Sequence, residues 1–396
     1  MKNVYYSKTS FNHKQQLFED YEKEKKKILV VAPASPSKGG VPSYIDELLS
    51  SNIKEHFQLE LLNPLLVKKR SKILQQSHFS LKQIIATFRV IIVFINTIRK
   101  FDPALVHIHT SSWWGFYEKA LLLVLTKYLF RKRVILHIHG GGFATFYKRA
   151  FSKRLINWVL NQANKTLIVS RQIKEELGLS QMIPVDNCVR FDSSVLSVDK
   201  TFLRKKYGIP EEKLVFLSAA LFQKIKGIHE TLIAFSTIYK KRDDFYFIIA
   251  GEGPEKNNIV TFIKENNLTN NVKVLDFITG QKKEDIFLLS DVFILNSTME
   301  GLSVAQVETL SYGLFMITTP VGIASDAERV FNDENSMLIP INDTQALEMA
   351  ILQVLDKTIN TNKITRKNFY DFKDRFNTEP VFEKMRIIYD EVLNKN

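Results

Sequence analysis

The chain has 396 residues, of which 45% are hydrophobic, so it is too long for one compact core and too apolar to be disordered. Its single cysteine, Cys188, excludes an intramolecular disulfide framework and Cys-rich zinc sites, which is typical of a reducing compartment. The net charge of +13 is uneven: residues 1–200 hold 31 Lys and Arg against 15 Asp and Glu, whereas residues 201–396 hold 24 against 27.

The alternation of strand-like and helix-like segments predicts the fold class. Residues 1–26 are polar and charged, without the apolar core of a signal peptide, and we expect a solvated extension. A β-branched run at residues 27–34 is typical of a buried parallel strand, and helical periodicity follows at residues 41–51. Further strand-like runs, separated by helix-length segments, occur at residues 105–109, 134–139, 166–170, 214–219, 246–250, 272–275, 292–295 and 315–318.

This pattern predicts an α/β protein with two doubly wound, Rossmann-like domains. We place the first at residues 27–195 and the second at residues 196–379, with a terminal helix in residues 380–396.

The basic charge is densest in residues 61–170, which hold 18 basic residues and only two acidic ones, Asp102 and Glu118. No apolar run reaches the roughly 18–20 residues that span a bilayer. The amphipathic residues 81–98 predict either a helix on a membrane or a core helix, and Trp113 and Trp114 are further interfacial candidates. We expect a cytoplasmic protein attached peripherally to the inner, anionic membrane surface; a basic nucleic-acid-binding protein is the alternative, although no nucleic-acid motif accompanies the charge.

The most specific chemical pattern is the pair Glu300 and Glu308, eight residues apart at a predicted loop-to-helix junction. The backbone amides of the intervening residues form a helix N-terminus, which binds phosphate well; these residues are Leu302, Ser303 and Val304. Such a site predicts binding of a nucleotide sugar, with Glu308 on the ribose, the amides on the diphosphate and Glu300 on the hexose. The alternative is a helix whose first turn is acidic only to offset its dipole.

Residues 290–326 resemble the donor-binding signature of family 4 of the retaining glycosyltransferases, which have the GT-B fold of two facing Rossmann-like domains. Weaker motifs resemble that family in the same order along the chain: the glycine loop 38–41, His139-Gly140, the segment 185–189, Lys226-Gly227 and the turn 251–254. The resemblance implies a retaining transfer from a nucleotide sugar, which we expect to be a UDP- or GDP-sugar, to a glycan acceptor. The expected membrane location predicts that this acceptor is carried on a polyprenyl diphosphate. The resemblance also implies a role in surface polysaccharide synthesis, such as capsule or O-antigen.

The same resemblance implies the roles of individual residues. His139, Lys226 and Glu300 are the expected catalytic residues, and Gly39 and Gly40 are expected to approach the donor closely. Two positions depart from the family pattern: no Arg precedes Lys226, so Lys224 is a candidate replacement, and Cys188 stands where glycine is usual.

No Asp-x-Asp occurs, and no His, Cys or Asp cluster has the local spacing of metal ligands, so we expect no metal and no cofactor. Lys226 and the helix amides would then have to stabilise the leaving diphosphate. A nucleotide-sugar epimerase with a fold of this kind is the alternative enzyme class.

Overall fold

A computed structural model describes residues 25–68, 81–325, 330–331, 336–357 and 361–395. Most of the predicted N-terminal extension lies outside these residues, as do Lys69 and Arg70. The chain forms two compact units, of which the first holds residues 1–137, 154–166 and 385–396 and the second holds residues 138–153 and 167–384. In this division the chain passes between the two units several times, whereas the sequence predicts a single domain boundary near residue 195. That boundary stays a prediction.

The first sheet has six strands in the order β2-β1-β3-β4-β5-β6. They are β1 (Lys26–Val31), β2 (Phe57–Leu62), β3 (Leu105–Thr110), β4 (Arg133–Ile138), β5 (Lys165–Ile168) and β6 (Met182–Pro184). The helices in this part of the chain are α1 (Gly40–Ser50), α2 (Ile53–His56), α3 (Pro64–Val67), α4 (Leu81–Phe101), α5 (Trp114–Val124), α6 (Phe143–Arg149), α7 (Lys153–Gln162) and α8 (Arg171–Leu177), with a π-helical turn at Leu125–Leu129.

The second sheet has six strands in the order β12-β11-β10-β7-β8-β9. They are β7 (Leu214–Ala219), β8 (Phe245–Ala250), β9 (Val272–Leu275), β10 (Val292–Leu295), β11 (Phe315–Thr318) and β12 (Met337–Leu338). The accompanying helices are α9 (Lys200–Tyr207), α10 (Ile228–Tyr239), α11 (Lys256–Glu265), α12 (Gly280–Leu289), α13 (Val304–Ser311), α14 (Thr344–Leu355), α15 (Thr361–Phe376) and α16 (Thr378–Asn394); 3-10 turns occur at Ser193–Ser197, Lys224–Lys226 and Gly322–Ser325.

The second sheet is buried on both faces, as expected for parallel strands that read as continuous apolar runs. Phe216 and Ile294 pack on one face with α10, α11 and α14, and the adjacent Leu217 and Phe293 pack on the other face with α9, α12, α13 and α15. Strand pairs within both sheets are parallel. These observations confirm the predicted α/β class with two doubly wound sheets.

Helix α4 has one buried and one exposed apolar face. Its sequence left open whether it is a core helix or a helix on a membrane surface. Val90, Phe94 and Ile98 are buried, so one face belongs to the core of the first unit. Phe88 and Ile92 on the other face are 62% and 58% exposed. The expectation of a core helix is therefore right, and the exposed stripe keeps a surface role available. In the part of the chain that the structure describes, no helix is both long and apolar enough to cross a bilayer.

Candidate functional site

The loop before α13 positions Glu300 at the carboxyl end of β10. The Lys226 ammonium donates to Glu300 Oε1 at 2.6 Å, and the Ser297 hydroxyl donates to the same oxygen at 2.8 Å. The Glu300 side chain is 9% exposed and that of Lys226 is 17% exposed, so the ion pair is largely shielded from solvent. Lys226, which the sequence assigns to the diphosphate, and Glu300, which it assigns to the adjoining hexose, are thus in direct contact.

Lys226 ends a 3-10 turn, and Gly227, the N-cap residue of α10, has a left-handed φ of 63°. A Cβ on Gly227 would lie 1.9 Å from the carbonyl oxygen of Asn296, in the loop that leads to Glu300. Only glycine permits this approach, because the left-handed backbone and the missing side chain are both required. The Lys-Gly pair therefore holds the Lys226 turn against the Glu300 loop.

Helix α13 begins at Val304, with Ser303 as an extended N-cap residue. Residues 300–303 are consequently loop, so Glu300 precedes the helix and Glu308 lies within it, about one turn from its start, at a loop-to-helix junction as the sequence predicts. No acidic residue lies in the first turn of this helix, so the interpretation of that turn as an acidic dipole offset is wrong. The amide groups of Leu302, Ser303 and Val304 lie at the helix N-terminus, which favours an anion.

Gln306, in the first turn of α13, fixes the neighbouring loop against this N-terminus. It is fully buried; its amide donates to the carbonyl of Val321 at 3.0 Å, and its Oε1 accepts from the amide of Ile323 at 3.1 Å. A Cβ on Gly322 would lie 2.5 Å from Gln306 Oε1, so the loop is packed at backbone distance. Sequence reasoning missed Gln306, since nothing in its local pattern predicts a contact beyond its own helix.

Glu308 lies further along α13 and is held by a second lysine. Lys283 of α12 donates to Glu308 Oε1 at 2.6 Å, and the Glu308 side chain is 12% exposed. No motif predicted Lys283, because it comes from a polar helix that tertiary packing brings to α13. The carboxylate is therefore oriented rather than freely solvated.

His139 follows β4 and belongs to the same unit as Glu300. A Cβ on Gly141 would lie 2.3 Å from the carbonyl carbon of Glu300, and one on Gly301 would lie 2.9 Å from the carbonyl oxygen of His139. Two glycine-containing loops therefore pack backbone to backbone. This contact brings His139, Lys226 and Glu300, the three predicted catalytic residues, into one region.

Burial lowers the pKa of the His139 imidazole to about 3, although a hydrogen bond with Asn187 raises it in part. The imidazole is therefore neutral near pH 7. The Asn187 amide also donates to the carbonyl of Leu302 at 2.7 Å, which connects the His139 loop to the α13 N-terminus. Asn187 lies in the segment that resembles the family at residues 185–189, and this was the only signal for it in the sequence.

The remaining predicted residues belong to other segments of the chain. Gly39 is the N-cap of α1 with φ 129°, and Gly40 begins that helix after β1, in the first unit. Lys224 shares the 3-10 turn of Lys226 but lines a cavity of about 380 Å³ with Phe222 and His229, among others. Cys188 is buried, next to Asn187 in the chain.

Comparison with known proteins gives two family matches along the chain. Residues 39–187 match the family described as "Glycosyltransferase Family 4", and residues 199–371 match "Glycosyl transferases group 1". The O-antigen biosynthesis glycosyltransferase WclY of Escherichia coli is 25% identical over 204 residues, which are 52% of this chain and 54% of that protein. The chain thus spans about half the length of this curated relative.

Solved structures with the same fold cover nearly the whole chain. Sucrose-phosphate synthase from Thermosynechococcus elongatus has a TM-score of 0.76 at 15% identity, over 93% of this chain and 99% of that one. Anabaena Alr3699/HepE, solved in complex with UDP and glucose, has a TM-score of 0.67 at 15% identity, over 92% of this chain and 99% of that one. At such identity these likenesses show the fold alone, and they confirm the predicted GT-B class. Because the two family matches follow one another over both halves of the chain, the chain belongs to the family 4 type of glycosyltransferases, as its motifs predicted.

Proposed function

We propose that the protein transfers a hexose, with retention of anomeric configuration and without a metal, from a UDP- or GDP-sugar to a lipid-linked glycan acceptor. The observation that carries this proposal is the Lys226–Glu300 pair beside the α13 N-terminus. Family membership supports sugar transfer, and the solved relative with UDP and glucose supports a nucleotide-sugar donor. The similarity to WclY, an O-antigen biosynthesis glycosyltransferase, supports a role in surface polysaccharide synthesis, and we place this role at the cytoplasmic face of a membrane.

Lys226 and the α13 amides would stabilise the leaving diphosphate. An ammonium has three donors, so Lys226 can keep its bond to Glu300 and still donate to a phosphate oxygen. The amides at the helix N-terminus add further donors and the positive end of the helix dipole. Because these groups are fixed before the donor arrives, they act on the charge that develops as the glycosidic bond breaks.

Glu300 would hold the hexose through its hydroxyls. Its Oε1 accepts bonds from Lys226 and Ser297, and a carboxylate offers about four acceptor sites, so acceptor capacity remains for sugar hydroxyls. Glu308, oriented by Lys283, would accept from the ribose hydroxyls. His139 is neutral and would contact the sugar near its reacting carbon by a hydrogen bond rather than by charge.

The exposed stripe of α4 supports attachment to a membrane. Ile85, Phe88 and Ile92 are exposed at helical spacing, with Arg89 exposed beside them. Apolar insertion and the attraction of basic residues to anionic lipid, about 1 kcal/mol for each cation near the surface, would act together. An enzyme docked in this way would meet an acceptor that is itself anchored in the bilayer.

Lys68 does not contribute a free charge to this surface. It pairs with Glu118, whose side chain is 1% exposed and which also accepts from Lys119 at 2.6 Å. Burial by itself raises the pKa of Glu118, but Lys119 and Lys68 outweigh it and lower that pKa to about 2. Lys68 therefore serves the interior of the first unit, and charge reversal there would damage folding as well as binding.

A transfer assay tests the proposal. The enzyme is incubated with UDP- and GDP-sugars and a polyprenyl-diphosphate-linked acceptor, and NMR determines the anomeric configuration of the product. Glu300→Gln should lower kcat by about 100-fold, since the hold on the sugar is lost at the reacting bond. Glu265→Gln, which removes an exposed carboxylate from the same unit, is the matched control. An altered donor in the absence of acceptor would instead establish an epimerase.

Vesicle sedimentation tests the membrane surface separately. The double variant Phe88→Ser and Ile92→Ser should reduce the vesicle binding that remains at high salt, because salt does not screen apolar insertion. Arg89→Glu should reduce vesicle binding at low salt only, because salt screens the attraction of its charge to anionic lipid. Met349→Ser, which removes an exposed apolar side chain from the second unit, is the control. Equal binding to neutral and anionic vesicles at low salt would refute membrane docking by basic residues without touching the proposal for donor binding.

A further inference from the structure

Three buried histidines form a cluster in the first unit, and none of them is among the residues proposed to bind the donor. His107 and His109 are two residues apart on β3 and therefore share one face of the sheet, and His137 lies on β4. Their exposed fractions are 0%, 1% and 0%. Ring centroids are 4.1 Å apart for His107 and His109, 5.1 Å for His109 and His137, and 5.5 Å for His107 and His137.

The cluster offers the ligand atoms of a metal site. One ring nitrogen from each histidine lies within 4.8 Å of the corresponding nitrogens of the other two. A tetrahedral zinc ion with bonds of 2.0–2.1 Å holds its ligand atoms about 3.4 Å apart. The rings therefore need to approach by roughly 1.4 Å at most, which rotation about the side-chain torsions can supply.

We propose that His107, His109 and His137 bind one zinc ion as a structural site. Three neutral imidazoles without a carboxylate suit zinc and its neighbours among the transition metals, and not magnesium or calcium, which prefer oxygen. Three histidines and one further small ligand such as water complete a four-coordinate ion. The local sequence did not predict the set, because its third member comes from the adjacent strand.

Tyr389 provides the outer support that metal-bound histidines usually have. Its hydroxyl lies 2.7 Å from His107 Nδ1 and can accept a hydrogen bond from the ring N–H. The ligand atom of His107 is then Nε2. Because Tyr389 belongs to α16, the bound ion would tie the C-terminal helix to the sheet of the first unit.

The test uses the full chain without a polyhistidine tag. Refolded with zinc and then passed over a desalting column, the wild-type protein should retain about one zinc ion per chain and melt at a higher temperature than protein refolded without it. His109→Gln with His137→Gln should retain less than about a tenth of that zinc. His56→Gln, an exposed histidine of the same unit, should retain all of it.

Two further measurements keep the proposal testable if the double variant does not fold. Cobalt(II) bound to the wild type should show the visible absorption of a tetrahedral ion, and Tyr389→Phe should weaken zinc affinity by about 10–100-fold. A wild type that retains no zinc and shows no change in melting temperature would overturn the proposal, as would zinc that the double variant binds undiminished. The result is independent of sugar transfer, since no residue of the proposed donor site is a ligand.

Discussion

Replacing Gly141 by alanine should disable the proposed active site while leaving the protein folded. The new Cβ would lie 2.3 Å from the carbonyl carbon of Glu300, 2.4 Å from the amide nitrogen of Gly301 and 2.5 Å from the carbonyl oxygen of Glu300. Ordinary contact begins near 3.4 Å, so two backbone segments must separate by roughly 1 Å. No flexible side chain is present at these contacts to absorb the overlap.

This separation should cost about 1–3 kcal/mol of stability, as overpacking usually does. It should also lower kcat by about 100-fold, because a shift of that size misplaces Glu300 relative to the sugar. Steady-state transfer kinetics and thermal unfolding measure the two effects on one preparation.

Gly178→Ala is the matched control for this variant. Gly178 ends α8 with φ 63°, and nothing lies within 4 Å of the position of its Cβ. Alanine there should cost about 1 kcal/mol through backbone strain and leave kcat unchanged. If Gly141→Ala had wild-type kcat, or lost activity only in proportion to its unfolded fraction, the inferred coupling of the His139 and Glu300 loops would be refuted.

Three further predictions concern the same unit. Glu308→Ala should raise the Kd for UDP or GDP more than Glu300→Ala does, while Glu300→Ala should chiefly lower kcat; equal losses of nucleotide affinity would contradict the roles assigned to the two carboxylates. Removal of free divalent metal with EDTA should reduce the transfer rate by less than about tenfold, and recovery of a larger loss on adding Mg²⁺ or Mn²⁺ would refute metal independence. The pKa of His139 is lowered to about 3 in the folded protein from an ordinary 6.5, so on acidification the unfolded chain binds a proton at His139 before the folded chain does. The free energy of unfolding should therefore fall by about 2 kcal/mol between pH 7 and pH 5 because of this residue, whose full contribution is present above pH 6.5. Chemical denaturation of His139→Gln should show a correspondingly flatter pH dependence, and an unchanged slope would count against a buried neutral imidazole.

The interior strands could be predicted from sequence because their burial requires apolar, β-branched runs. β7, β9, β10 and β11 have the predicted bounds, and β1, β3, β4, β5 and β8 lie close to theirs. Three strands at sheet edges, β2, β6 and β12, were not predicted from the sequence. In β2, the four central residues are half-buried or exposed and only the two end residues are buried, so its sequence is mixed and resembles that of a surface segment.

The sequence could predict only those site residues that belong to a local motif. Glu300 and Lys226 each belong to such a motif, but the bond between them depends on how β10 and the start of α10 meet. Ser297 and Gln306 lie within the donor-binding signature, but nothing in that pattern indicates their contacts, and Lys283 lies outside every motif, because tertiary packing determines these contacts. The same limit explains why the three histidines of the first unit were not recognised from their spacing along the chain.

Nucleotide binding by Lys226→Gln tests the central claim most directly. Isothermal titration of UDP and GDP into the wild type, Lys226→Gln and Lys241→Gln compares the proposed phosphate-binding lysine with an exposed lysine of the same unit. We predict that one nucleotide binds the wild type and Lys241→Gln equally, and that Lys226→Gln binds it at least about tenfold more weakly, since a charge-assisted bond to phosphate is lost. Undiminished affinity in Lys226→Gln would show that the Lys226–Glu300 region is not where the donor diphosphate binds.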